Sequence, residues 1–237
     1  EFGRKRTINQ STCNKDLSCV KGFCPSFVTV EGGQLKKTAS ARTASPFDLP
    51  APPEAVTPVL GDAAWGIVVA GVGGTGVITI GQLLGMAAHL EGKGIVTQDA
   101  AGLAQKGGAT WSHVQIANVQ DDIRTTRVAM AAADLIIGCD PLVTASKETL
   151  LRMRQGRTHV ALNAYSTPTA AFVKDGNWQN PSAACVASVV QAVGAAAVGS
   201  FNADAVASKL MGDTLFVNPM LVGVAAQKGW LPVSVAA

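Results

Sequence analysis

Two groups of residues in this 237-residue chain have the types and spacing for chemistry. The first is Cys13, Cys19 and Cys24, with Pro25 directly behind, in the pattern C-x5-C-x4-C-P. Three thiolates this close together can converge on one soft metal centre. Zinc ordinarily takes more closely spaced cysteine pairs and a fourth ligand. Iron–sulfur clusters also take four cysteines, and a proline after a ligand cysteine recurs among them. Cys139 and Cys185 stand in apolar stretches and read as small buried hydrophobes. A cluster on Cys13, Cys19 and Cys24 would therefore draw a ligand from residues ahead of Glu1. Three unligated thiols in a tail are the plain alternative.

The second group is Gly71-Val72-Gly73-Gly74-Thr75-Gly76, a G-x-G-x-x-G stretch between a short apolar run and a helical pattern. Glycines there permit a tight turn, and N–H groups at a helix start attract a phosphate or carboxylate. A dinucleotide site wants an acidic companion about 20 residues further on. Asp99, at the end of the next strand pattern, meets that spacing tolerably. The motif is short and the chain holds 25 glycines, so the match is weak evidence for a dinucleotide, and a structural turn with an unoccupied or anion-occupied helix end is the other reading. Lys106-Gly107-Gly108 is a second candidate, since two glycines allow close backbone approach and Lys106 brings a positive charge. Asp140, ahead of Pro141, reads first as a helix cap. Asn163 and Ser166 follow another strand pattern and could face the same crevice, because ligands of doubly wound sheets gather at strand carboxyl ends.

The elements that must position these groups alternate between strand and helix. Residues 66–71, 94–99, 111–118, 133–140 and 158–164 read as strands, and 111–118 alternates as a half-buried strand should. Residues 77–90, 141–154, 181–194, 203–210 and 219–230 read as helices, the last behind Asn218 as its cap. The expected fold is α/β: a three-layer α/β/α domain with a mostly parallel sheet over residues 63–237. A small Cys-containing segment (1–33) and a Pro-rich linker (34–62) precede it. Pro46, Pro50, Pro52, Pro53 and Pro58 stiffen that linker against regular structure.

Composition narrows the function. The net charge of +3, with no basic stripe carrying interleaved aromatics, gives no case for nucleic acid. No apolar stretch is long enough to cross a membrane, and residues 1–6 lack a signal-peptide pattern. An odd number of cysteines without a secretion signal argues against a disulfide scaffold and for the cytoplasm. His89, His113 and His159 share no ligand spacing.

The Cys segment, the Pro-rich linker and the stretch GVGGTGVITIGQLLGMAAHLEGKGIVTQDAAGLAQKGGATWSHVQIA together resemble the large indolepyruvate ferredoxin oxidoreductases of the 2-oxoacid:ferredoxin oxidoreductase family. The resemblance covers nearly all of the chain. It rests on Gly71–Gly76 running into Val77, and on Gln105 to Thr110 leading into a strand, both behind C-x5-C-x4-C. Residues 1–33 resemble the end of a ferredoxin-like region, and 63–237 a gamma-type domain. The resemblance implies oxidative decarboxylation of an aryl 2-oxoacid on thiamine diphosphate, release of the acyl group on coenzyme A, and electron flow through iron–sulfur clusters to a ferredoxin. It implies a 4Fe-4S cluster on Cys13, Cys19 and Cys24 with its fourth ligand outside this chain. It implies cofactor or ligand contact at Gly71, Gly73, Gly74, Thr75, Gly76, Lys106, Gly107 and Gly108. The thiamine-binding domains would be partners, homo-oligomerisation is an expectation, and the chain alone would be catalytically incomplete. Two other readings stay open: an autonomous dinucleotide-binding dehydrogenase, and a non-catalytic scaffold domain.

Overall fold

A computed structural model of the chain describes residues 31–33, 52–100, 108–166, 175 and 177–237. Cys13, Cys19, Cys24, Lys106 and Gly107 lie outside the described residues. The elements are β1 (Trp65–Val72), α1 (Val77–Leu90), β2 (Gly94–Ala100), β3 (Ala109–Ala117), β4 (Leu135–Gly138), α2 (Pro141–Thr144), α3 (Lys147–Leu150), β5 (His159–Asn163), α4 (Ser182–Val193), β6 (Val198–Phe201), α5 (Ala203–Met211) and α6 (Val217–Gln227).

The strands form one six-stranded sheet in the order β2-β3-β1-β4-β5-β6. β1, β4, β5 and β6 pair in parallel, and β3 runs antiparallel to both β1 and β2. The reversal at β3 follows from the link ahead of it. Residues 101–108 are too few for the crossover of a dozen or more that parallel neighbours require. β3 also departs from expectation in its burial. It reads as half-buried, yet Val114, Ile116 and Ala117 are fully buried, as are Ser112 and His113. The cause is its place between two strands, with α1 over one face and the 120–134 segment over the other.

Alternate residues along each strand feed two cores. Ile67, Val69, Leu135, Ile137 and Ala161 face Val77, Ile80 and Leu84 of α1 and Leu221 and Ala225 of α6. Val68, Ile136, Val160 and Leu162 face Val189 and Val193 of α4. The result is the expected three-layer α/β/α arrangement. Each of the larger buried side chains contributes about 1.5–3 kcal/mol. α1 approaches the sheet closely because a Cβ on Gly85 would stand 3.1 Å from Thr97 Cγ2 on β2.

Three local expectations differ from the structure. Residues 141–154 are not one helix. Asp140 caps α2, accepting from Leu142 N at 2.8 Å and Val143 N at 3.2 Å, but the helix ends at Ala145. Ser146 turns extended, and Thr149 Oγ1 bonds back to Val143 O at 2.9 Å, a side-chain competition that favours turns over continuous helix. Asn218 does not cap α6, which already starts at Val217 behind Phe216. β6 has no counterpart among the sequence strands, because four residues, one of them glycine, carry too little periodicity.

Of the linker, residues 52–62 are described, and they form no helix or strand. They run against the domain all the same. Gln227 Nε2 donates to Pro53 O at 2.8 Å, and Asn118 Nδ2 donates to Leu60 O and Gly61 O, both at 3.2 Å.

Candidate functional site at the carboxyl end of the sheet

β1 leads into α1 on one face of the sheet, while its neighbour β4 leads into α2 on the other. That divergence opens a crevice at the strand carboxyl ends, the place where sheets of this kind bind ligands. The Gly71–Gly76 loop forms one lip of it.

Each residue of the loop has its own task. Gly71 is buried, and a Cβ there would stand 2.7 Å from Val77 Cγ2 and 2.8 Å from Cys139 Cβ. Its bare backbone is what lets α1 close onto the end of β4. Gly73 N–H donates to Gly108 O at 2.8 Å. The glycine loop and Gly108 therefore meet, although more than 30 residues separate them in sequence. Thr75 is folded back, with its N–H at 3.3 Å and its Oγ1 at 2.7 Å from Val72 O. Gly74 (φ 86°) and Gly76 (φ 89°) are exposed and left-handed, a conformation that side chains resist.

Gly76 caps α1 with no side chain to offer, and the first turn contains no acidic residue. The N–H groups of Val77, Ile78 and Thr79 have no acceptor within the helix by geometry. A 14-residue helix thus presents the positive end of its dipole at an exposed glycine turn. An anionic group fits that chemistry.

Other candidates at this end are already engaged. Asn163 Nδ2 donates to Cys139 O at 3.3 Å and to Asp204 Oδ2 at 2.7 Å. Its Oδ1 accepts from Tyr165 N at 3.1 Å and Ala203 N at 3.0 Å. All four amide positions are thereby used, so Asn163 ties β4, β5 and α5 together rather than facing a ligand. Asp140 serves as the cap of α2. Ser166 is buried, and its carbonyl accepts from Asn180 Nδ2 at 3.2 Å.

Asp99 does not stand where a dinucleotide companion must. β3 lies between β1 and β2, so Asp99 pairs with Ser112, which in turn pairs with Val69. Two strand spacings, about 9–10 Å, separate its backbone from β1. The spacing in sequence was right, but the sheet order removes its meaning. Sequence reasoning gives Asn218 only a capping role, whereas its Nδ2 donates to Thr75 O at 2.8 Å across 143 residues. No local signal marks that bond.

Two strongly shifted titrating groups lie away from the crevice, and a third, Cys139, lies against Gly71 at the end of β4. Burial, reinforced by the Arg152 and Arg127 charges, pulls His113 down to about 4 in the middle of β3. Burial alone would raise Glu91, but bonds to Lys93 and Ser234 hold it at about 2 behind the end of α1. Burial and the nearby Asp140 charge push the Cys139 thiol far up, so it stays protonated. Among the described residues no group of three His, Cys, Asp or Glu side chains could hold a metal, and no helix is long and apolar enough to cross a membrane. What the loop presents at the crevice is backbone N–H groups at the start of α1.

The family described as pyruvate ferredoxin/flavodoxin oxidoreductase matches residues 66–236. The indolepyruvate oxidoreductase subunit IorB of Methanothermobacter thermautotrophicus is 27% identical over 168 residues, 71% of this chain and 81% of that protein. The same subunit from Archaeoglobus fulgidus is 37% identical over 75 residues, 32% of this chain and 35% of its own length. Among solved structures, the pyruvate oxidoreductase subunit PORC of Thermotoga maritima superposes with a TM-score of 0.46 at 16% identity, covering 72% of this chain and 79% of that one. With a match over residues 66–236, this chain belongs to the pyruvate ferredoxin/flavodoxin oxidoreductase family.

Proposed function

We propose that this chain supplies the gamma-type domain of a 2-oxoacid:ferredoxin oxidoreductase of the indolepyruvate type, and that its glycine loop receives the diphosphate end of coenzyme A. The observation that carries the reading is the Gly73 N–H to Gly108 O bond of 2.8 Å. It brings the loop ahead of α1 and Gly108 together at one lip of the crevice. An uncapped helix start suits a diphosphate, and Lys106, two residues from Gly108, adds a positive charge nearby. Gly74, Thr75, Gly76, Lys106, Gly107 and Gly108 are the proposed contacts. Gly71 and Gly73 hold the loop in shape.

In this reading residues 1–33 are the end of a ferredoxin-like region, 34–62 a linker and 63–237 the gamma-type domain. Cys13, Cys19 and Cys24 hold a 4Fe-4S cluster whose fourth ligand lies outside these residues. Thiamine diphosphate, bound by partner domains of the same enzyme, supplies the electron sink for decarboxylation of an aryl 2-oxoacid. The residues of this domain bind and orient the acyl acceptor and leave the decarboxylation to their partners. Electrons pass to a ferredoxin or a similar acceptor, and the complete enzyme is a cytoplasmic homo-oligomer. The names of the IorB relatives support the substrate class.

Thermal melting of the chain with coenzyme A and, separately, with NADH tests the ligand. A rise with coenzyme A alone supports the reading. A rise with NADH alone returns the domain to the dehydrogenase class. No rise with either leaves the loop as scaffold. For the metal, iron and acid-labile sulfide on the complete enzyme, purified without oxygen, are compared with a variant carrying serine at positions 13, 19 and 24. Loss of about one cluster's worth of both supports the ligand assignment. Unchanged content removes it.

A further inference from the structure

We infer that Asn218 is a positioning residue that locks the orientation of the Thr75–Gly76 peptide and so aims a donor of the glycine loop. The inference rests on the coenzyme A reading of the loop given above. Asn218 is buried at 6% exposure inside α6. Its Nδ2 donates to Thr75 O at 2.8 Å and sits 3.7 Å from where a Cβ on Gly76 would be.

The two halves of a trans peptide point in opposite directions, because the C–N bond is planar. Among the described residues no peptide is cis. With the Thr75 carbonyl drawn toward α6, the Gly76 N–H is directed away from α6, on the open side of the loop. Rotation of this one peptide would withdraw the N–H and turn a carbonyl, a repulsive group for an anion, toward the ligand. Gly76 follows the peptide at φ 89°, and a glycine there makes such a rotation cheap. The Thr75 side chain does not oppose it. Both Thr75 N and Oγ1 are bonded to Val72 O and hold only the other side of that residue. Asn218 supplies the missing restraint, and it does so from an element with no other role in the loop.

The test uses the complete enzyme with three variants: Asn218→Asp, Asn218→Ala and Gly74→Val. Asn218→Asp keeps the shape but replaces the donor with an acceptor, which repels Thr75 O. The expected result is a KM for coenzyme A raised about tenfold in Asn218→Asp and several-fold in Asn218→Ala. Turnover at saturating coenzyme A and the KM for the 2-oxoacid stay within about twofold. Amide exchange, read by mass spectrometry without ligand, speeds up at the peptide spanning Gly74–Val77 and stays unchanged in β4 and β5. A structural defect would instead lower turnover and speed exchange throughout. If Gly74→Val raises the coenzyme A KM while both Asn218 variants leave it unchanged, the positioning role is wrong and the ligand reading stands. If none of the three changes it, the ligand reading fails and takes this inference with it.

Discussion

The two ends of the sheet solve opposite problems. At the amino end the charged pair Asp134–Arg157 and the groups around it are closed on partners. Asp134 accepts from Gly66 N at 2.8 Å and from Arg157 through both carboxylate oxygens, at 2.7 Å and 3.0 Å. His159 stacks on Trp230 at 4.9 Å between centroids, and Thr158 Oγ1 donates to Ala133 O at 2.6 Å. At the carboxyl end, the start of α1 is left with a glycine cap and no side-chain partner. Uncapped helix ends are unfavourable unless water or a ligand supplies the missing acceptors. The difference teaches how the two ends are finished: at one the charges are closed on partners, and at the other the first N–H groups of α1 are left open.

The sharpest way to break that comparison is Asp134→Ala. It removes the acceptor of the Gly66 N–H and leaves Arg157 without its carboxylate. Removal of one member of such a pair costs about 2–4 kcal/mol, discounted for the partial exposure of Arg157. The expected outcome is a large drop in the denaturant midpoint with unchanged coenzyme A affinity. A loss of affinity equal to the loss of stability would mean the two ends are not separable.

His113 sharpens the comparison from mid-sheet. Its Nδ1 accepts from Val128 N at 3.3 Å, so the folded state favours the neutral ring. The folded value, about 4, lies below the ordinary 6.5. The unfolded chain therefore binds the proton first as pH falls. Stability is complete above pH 6.5 and declines as pH falls through 6.5 toward 4, by about 2–3 kcal/mol. Urea unfolding at pH 7 and pH 4.5 should show this decline, and His113→Gln should reduce it. An equal decline in the variant would assign the pH dependence elsewhere.

The smallest stability effect falls at the open end. Gly74→Val places a β-branched side chain at φ 86°, where open space surrounds the Cβ but the backbone is strained. The cost is about 1–2 kcal/mol of stability. Coenzyme A affinity should fall by more than that stability loss implies, since the folded variant has a misshapen loop. Calorimetric titration of the folded variant checks it. Full affinity would remove Gly74 from the binding surface.

Much of this was legible in the residues. The glycine loop, the Asp140 cap and the alternation of strands and helices are local patterns, and local patterns survive folding. Sheet order is not local. Nothing in GIVTQDA states that another strand will separate it from β1, so Asp99 passed a spacing test that the sheet then voided. Asn163 looked like a crevice residue because it ends a strand, and only its four bonds show that it is spoken for. Asn218 and Thr75 are 143 residues apart, and no periodicity links them.

The reversed strand also bears on the order in which this domain assembles. β2 and β3 are joined by a short link and can zip as a hairpin with little loop-closure entropy. β1 can pair with β3 only by closing the longer span that contains α1 and β2. The parallel pairs further along need crossovers of their own and are slower still. Pulse-labelled amide exchange during refolding should therefore find the β2–β3 ladder protected before that of β1 and β4. On that schedule Gly108, directly ahead of β3, is set before the glycine loop arrives to donate its Gly73 N–H. The site would be finished from its outer strand inward.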